Sequence, residues 1–379
     1  MSISKDTDTN PFYVIAYRTP LWRVKELSVS NVKYDHILSP VLQFLENFTS
    51  LDLQVRQMLF SNCFSQEMIR SYSFRRILCN YPNISNRLRT ANICYIDNSC
   101  LSAFTGLLLS YSYTLGVKEI DIYIGYEDLG CGREQLLNAA KTSPEQLKVE
   151  DICREIAKKY SISHDMAQKY IKEQVKIKNN SFEIIFSHIL DNYHNTNKTS
   201  TAVDTLDTEN LIQETNFKTD LGHPPYLARF SKGAGVIICT SDLELAKQYN
   251  GLCVHSIACY SNIGNPIENS HILQSMELAL SKANLSWHDI SAFEIYDGFL
   301  VLTLSVIKVL QSKLKLKAFE RINILGNAIV RGDPVSAVGI LMLTNAESAF
   351  NSNMIPNNAY MLITGYSTTI AISLVVSKV

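Results

Sequence analysis

Twice along this chain a β-rich run meets a tight turn and then a long, almost wholly apolar helical segment, and that repetition restricts the fold more than any other feature. The first unit is Asn92-Ile-Cys-Tyr-Ile-Asp97, the turn Asn98-Ser99, and a helix from Cys100 to Leu115 stopped by Gly116. The second is a strand over Ser291 to Ile295 that feeds a helix from Gly298 to Leu310. A helix that is apolar on most sides has to be buried on most sides. Strands alternating with such helices predict a parallel sheet covered by helices. Two units of this kind in one chain predict duplicated α/β halves.

The flanking segments agree. Phe12 to Ala16, Gln57 to Phe60 and the alternating Glu119 to Gly125 read as strands, and Ile37 to Leu45 has helical spacing. Beyond Tyr126 the texture changes. Asp151 to Ile171 carries two charged amphipathic patterns broken at Ser161-Ile162-Ser163, with Ser163 as N-cap of the second. The Asn/Thr-rich stretch from His194 to Asp220 has few large apolar residues and is expected to be exposed. This middle part reads as an insertion. The α/β pattern resumes with a buried strand over Gly235 to Thr240, a helix opening at Asp242, and a helix from His271 to Ala283. It ends with strands over Tyr360 to Thr364 and Ile370 to Val376, joined by Gly365 to Thr369. The expected division is 1–125 plus 225–250 as the first half, 126–224 as the insertion and 251–379 as the second half.

At 379 residues the chain is long enough for two to three cores. Lys and Arg number 35 against 36 Asp and Glu, so the net charge of −1 supplies no field to draw in a phosphate backbone, and nucleic acid is not an expected partner. The start lacks an apolar leader and no stretch is long enough to span a bilayer, so a membrane is not an expected partner either, and a cytoplasmic location is expected. Nine cysteines, odd in number and widely spread with no CxxC pair, suit a reducing compartment with most thiols buried as small apolar groups. No metal site is expected.

In order, the motifs resemble those of the thiolases. Arg18-Thr19-Pro20 is similar to the family's RTP motif, Ile96-Asp-Asn-Ser-Cys100-Leu-Ser-Ala to its VNxxCxSG nucleophile turn, and Ile124-Gly-Tyr-Glu-Asp-Leu129 to GGxExM. Ala157 to Gln168 resembles the loop-domain segment AxxYGISRExQD. Phe293-Glu-Ile-Tyr-Asp-Gly-Phe299 falls at the NEAF or HDxF block, and Asn323 to Gly339 at NxxGGxxxxGHPxGxxG. The Tyr296-Asp297-x-Phe299 block looks more like the sterol-carrier-type branch. The resemblance implies a five-layered αβαβα fold with an inserted loop domain, acyltransfer from coenzyme A thioesters, and no covalently bound cofactor. It also implies a homodimer, or a heteromer with another thiolase-type subunit, formed near the strand before Cys100.

The resemblance makes Cys100 the nucleophile, at the start of a buried helix whose dipole and free N–H groups favour a thiolate. Three helper positions have changed. Asp333 stands where the family has the His of GHP, and a carboxylate beside a thiol disfavours the thiolate. Read from its own neighbours, Asp333 before Pro334 is also a helix N-cap. Gly298 and Ile363 occupy the two places where the second Cys occurs, and neither moves a proton. Tyr296 replaces the Asn or His that helps hold the oxyanion, and its phenol can still donate a hydrogen bond. Gly365 matches the glycine whose N–H completes the oxyanion hole. The expected coenzyme A contacts are His223, Ser231, Lys176 and Asn323. Two readings follow: an acyltransferase acting through Cys100 with impaired C–C bond chemistry, or a non-catalytic homologue that binds acyl-CoA or serves as a structural subunit of a condensing complex.

Overall fold

In the computed structural model the described residues are 11–23, 34–49, 51–63, 71–81, 85–113, 115–116, 118–127, 149–181, 228, 230–262, 269–317 and 319–379. The strands are β1 (Tyr13–Arg18), β2 (Trp22–Arg23), β3 (Gln54–Ser61), β4 (Ile93–Tyr95), β5 (Glu119–Glu127), β6 (Ser231–Thr240), β7 (Leu252–Ser261), β8 (Ile290–Ile295), β9 (Tyr360–Tyr366) and β10 (Ile370–Lys378). They hydrogen-bond in the order β4-β3-β5-β6-β1-β7-β10-β9-β8, with β2 added against β6. Beyond β8, Ile322 bridges in parallel to Phe293.

Outward from the β1–β7 seam the two sides match. β1 is antiparallel to β6, β6 to β5, and then β5, β3 and β4 are parallel. On the other side β7 is antiparallel to β10, β10 to β9, and then β9, β8 and the Ile322 bridge are parallel. The duplication expected from the sequence is therefore present in the sheet, but the two apolar units are not its equivalent parts. The first helices are α1 (Tyr34–Thr49), α2 (Ser71–Asn80), α3 (Asn86–Thr90) and α4 (Ser102–Tyr111), and β4 with α4 corresponds to Ile322 and the helix Val338–Asn351. β8 and the helix Leu300–Leu314 correspond instead to β3 and the amphipathic helix α2 (Ser71–Asn80). The reason for the mismatch is burial. Helix Leu300–Leu314 is apolar because the inserted helices Val149–Lys159 and His164–Asn180 lie over it, and α2 exposes part of its surface.

Helix Val338–Asn351 is buried from Val338 through Phe350. It touches β1 and β6 of the first half and β8 and β9 of the second, which makes it part of the central helical layer between two sheet layers. α4 shares that layer. It is shorter than expected, ending at Tyr111 with Ser112 as C-cap, and Gly116 lies in the turn before β5. β5 extends to Glu127, past the expected end of the first half, and is buried on both faces because strands flank it and helical layers cover it.

Local signals behave as expected at two caps. Ser163 Oγ accepts from the Met166 N–H at 3.1 Å and opens the helix His164–Asn180. Asp242 Oδ1 accepts from the N–H groups of Glu244 and Leu245 at 2.9 and 3.1 Å. Replacing Ser163 with Ala is expected to cost about 1 kcal/mol, the usual worth of an N-cap, read as a lower urea midpoint at unchanged slope. Thiol placement is less uniform than expected: Cys153 and Cys239 are buried, but Cys79, Cys94 and Cys259 are exposed. Among the described residues no helix is long and apolar enough to cross a membrane.

Candidate active site

Cys100 lies on a 3₁₀ turn, Ser99–Leu101, directly before α4. The turn is held by its neighbours. Ser102 Oγ donates to the Ser99 carbonyl at 2.7 Å and accepts the Asn98 N–H at 3.0 Å, and Asn98 Nδ2 donates to Thr105 Oγ1 at 2.8 Å. Ser99 has a φ of 48°, a left-handed conformation uncommon for a residue with a side chain. It marks the sharp bend that presents Cys100.

A second 3₁₀ turn, Val335–Ala337, leads into helix Val338–Asn351 and touches the first. Asp333 sits just before it. Its Oδ1 accepts the Val335 N–H at 2.9 Å, so the N-cap-like reading holds for one oxygen. The other oxygen, Oδ2, accepts the Tyr296 hydroxyl at 2.5 Å. Two buried helices thus begin at one place, one bringing a thiol and the other a carboxylate, and both helix dipoles favour negative charge there.

Burial opposes that preference and wins at the sulfur. Cys100 is pushed up to about 12, first by desolvation and then by the Asp333 carboxylate, although hydrogen bonds from Tyr296, its own N–H and Ser99 would favour the thiolate. Asp333 is raised to about 6 by burial, against the Tyr296 hydroxyl and the Val335 N–H. The Tyr296 phenol is raised well above its ordinary value by burial, Asp333 and Cys100. At neutral pH the site therefore holds a thiol, a phenol and a carboxylate. The thiol donates to the Tyr366 carbonyl, with Sγ 3.5 Å from the oxygen.

The structure brings Cys100, Asp333 and Tyr296 together. Gly365 is close by, but it lies inside β9 and not in a turn between strands. A Cβ there would meet the Phe104 ring at 2.2 Å, so the missing side chain is what lets α4 pack under the strand. Ser231 is buried at the start of β6. Its N–H holds the Asp333 carbonyl at 2.9 Å, and its hydroxyl has no hydrogen-bond partner among the described residues. Lys176 is exposed on helix His164–Asn180. His223 lies outside the described residues, as does the stretch from His194 to Asp220. His288 is exposed and His164 is half-buried.

Asn323 is a correction. Its side-chain oxygen accepts the Ile295 N–H at 2.7 Å, and its nitrogen donates to the Tyr170 hydroxyl, the Ile295 carbonyl and Asp297 at 2.9, 2.8 and 3.3 Å. Both of its amide hydrogens and one lone pair of its oxygen are thus engaged within the protein. Asn323 belongs instead to a buried network behind the site, in which Tyr170 donates to Asp297 at 2.9 Å and Asp297 Oδ1 accepts the Ile329 N–H at 2.9 Å.

Sequence reasoning missed Tyr366 and this network. Tyr366 sits edge-on to Tyr296 with ring centroids 5.5 Å apart, and its hydroxyl pairs with Thr303 Oγ1 at 2.6 Å. A Tyr directly after Gly365 was the available signal for the first. The two acids of Glu294-Ile-Tyr-Asp297 at the end of an apolar strand were the signal for the second.

No protein-family model matches the chain, and no curated protein matches it on sequence. Its structure matches solved thiolases over nearly the whole length. Human mitochondrial 3-ketoacyl-CoA thiolase is matched with a TM-score of 0.76 at 16% identity, over 97% of this chain and 99% of that one. The same human enzyme in complex with CoA gives 0.76 at 17% identity, covering 98% of each chain. Acetyl-CoA acetyltransferase from Bacillus anthracis gives 0.74 at 13% identity, over 98% of this chain and 100% of that one. With the paired halves and the facing helix starts, these likenesses show that the chain has the thiolase fold.

Proposed function

We propose that this protein handles acyl-CoA thioesters, with Cys100 as the acyl acceptor and without the C–C bond chemistry of a condensing enzyme. The observation that carries the reading is the meeting of the Cys100 thiol with the Tyr296–Asp333 pair where two buried helices begin. Attack of the sulfur on a thioester carbonyl forms one C–S bond, and release of coenzyme A breaks another. A carbanion step needs a further acid/base group at the substrate carbon, and Gly298 and the buried Ile363 supply none.

The same geometry limits the rate. With the thiol at about 12, roughly one molecule in 10⁵ carries a thiolate at pH 7. The greater basicity of that thiolate returns about two decades through a Brønsted slope of ~0.4–0.5. Acylation by the bare thiolate is thus roughly 10²–10³-fold slower than by a thiol titrating near neutrality. This deficit supports a second reading, a homologue that binds coenzyme A or acts as a structural subunit.

For the ligand, we assign the unpartnered Ser231 hydroxyl to the acyl-CoA amide-bearing arm and the exposed Lys176 to the nucleotide phosphates. For assembly, β4 ends the sheet with Cys94 and Tyr95 exposed, an open edge suited to a second subunit of the same or a related chain.

Incubation with acetyl-CoA and longer acyl-CoAs, followed by intact-mass and peptide mass spectrometry, distinguishes the two readings. A thioester on Cys100 that is absent in Cys100→Ala is the expected result. Stabilisation by coenzyme A with no adduct at any time selects the binding role; at a hundredfold excess over Kd the stabilisation is about 2.7 kcal/mol.

A further inference from the structure

We propose that Tyr296 is the proton-transfer residue of this site, accepting the Cys100 thiol proton while passing its own to Asp333. The inference deepens the reading of Cys100 as acyl acceptor and rests on it.

Tyr296 is placed for this role by contacts on every side. Its N–H donates to the Thr364 carbonyl at 3.0 Å, its carbonyl accepts Thr303 Oγ1 at 3.2 Å, and its ring packs edge-on against Tyr366. Its hydroxyl donates to Asp333 Oδ2 at 2.5 Å, which leaves the phenol oxygen's lone pairs to accept from a thiol. Asp333 cannot swing away, because Val335 N–H binds its other oxygen and Ser231 N–H its carbonyl. The room for the phenol comes from Gly298: a Cβ there would lie 2.0 Å from the Tyr296 hydroxyl oxygen. The phenol therefore fills the space that a side chain at 298 would take.

The step balances. Rotation about the Cys100 Cβ–Sγ bond turns the thiol proton from the Tyr366 carbonyl to the Tyr296 oxygen. As sulfur attacks the thioester carbonyl, that proton moves to Tyr296 and the phenol proton to Asp333. When the tetrahedral intermediate collapses, Asp333 returns its proton to the phenol oxygen and the phenol passes the other to the departing sulfur of coenzyme A. The net change is acyl-CoA plus thiol to acyl-Cys100 plus coenzyme A, with no redox change. Asp333 acts only through the phenol and is a positioning residue that stores the proton.

The groups that face this pair are Cys100 from the first 3₁₀ turn, Asp297 next to Tyr296 and Tyr366 from β9, and the Ser231 N–H from β6 meets the Asp333 carbonyl. Arg331, on the same segment as Asp333, is directed at the carbonyls of Leu325 and Gly326 at 3.1 and 3.0 Å.

The test is the rate of Cys100 alkylation by iodoacetamide from about pH 5 to about pH 9, followed by peptide mass spectrometry, for the protein and for Asp333→Asn and Tyr296→Phe. The rate is expected to rise through an inflection near 6, where Asp333 titrates, and then to level. Both variants should lose the inflection and alkylate roughly 10²-fold more slowly at neutral pH, the low end of what one general base contributes. If Asp333→Asn does not fold, Tyr296→Phe, which removes one hydroxyl, carries the same two readouts. A rate that climbs steadily through the whole range in the unaltered protein overturns the proposal. So does faster alkylation in Asp333→Asn, since it would show that the carboxylate only repels the thiolate. The assay contains no acyl-CoA, so failure of acylation with an intact inflection removes the acyl-acceptor reading and leaves the relay standing.

Discussion

Raising the pH from about 5 to about 9 should weaken the fold by several kcal/mol, read as a steadily falling melting temperature, because three buried carboxyl groups fold in their protonated range. Glu294 is raised to about 8, Asp297 to about 7 and Asp333 to about 6, in each case first by burial. In the unfolded chain all three titrate near 4. Between these limits the folded protein binds more protons than the unfolded one. Their stabilising contribution is thus complete below about pH 4 and is lost as pH rises through 6, 7 and 8. Each unit of displacement is worth about 1.4 kcal/mol, so Glu294 dominates. Its Oε1 accepts from Asn345 Nδ2 at 2.9 Å, and its Oε2 has no partner among the described residues. Glu294→Gln keeps the shape and removes the charge. It should flatten the alkaline part of the profile while leaving the melting temperature near pH 5 almost unchanged. An unaltered pH profile in Glu294→Gln would sink this account.

Gly298→Cys is expected to destabilise the protein by roughly 3–5 kcal/mol on its own, and by much less when combined with Tyr296→His. The single change puts a Cβ 2.0 Å from the Tyr296 hydroxyl oxygen and 2.2 Å from its Cζ. The ring cannot yield cheaply, since moving it breaks the 2.5 Å bond to a buried carboxylate. Overpacking costs about 1–3 kcal/mol and a lost hydrogen bond to a charged group about 1.5–3. The shorter imidazole of Tyr296→His withdraws from the crowded volume. A double-mutant cycle by urea unfolding should then show a favourable coupling above about 1 kcal/mol. Additive losses would mean that the two positions do not compete for space. The same reasoning explains why the absence of a second thiol and the presence of the phenol occur together in this chain.

Much of the architecture was legible because burial writes itself into composition. The apolar run after Cys100, the β-branched run Val236-Ile-Ile238 and the cap signals at Ser163 and Asp242 each respond to one local cause. The pairing of the halves was harder to read. Apolarity over Leu300 to Leu314 reports cover by inserted helices, a tertiary fact that looks like sequence equivalence to α4. In the site, Cys100 and Asp333 were reached through the motif resemblance, and their places before helices agree with it. The bond between Tyr296 and Asp333 joins residues 37 apart in sequence, and no local pattern encodes it. Asn323 was misassigned for a similar reason: a polar residue in a ligand-like motif gives no sign that four protein groups already claim it.

The seam between the halves pairs Tyr13 with Cys253 and Val14 with Leu252. The sulfur rides on one side of that junction, while the phenol and the carboxylate ride on the other. Their alignment thus depends on how the two halves pair, and a slip of one residue along the junction would shift it by ~3.3 Å. Glu347, reaching from the sandwiched helix to the Ala16 N–H at 2.8 Å, acts as a dowel against that slip. Loosening that contact would disturb how sulfur, phenol and carboxylate line up without touching any of the three.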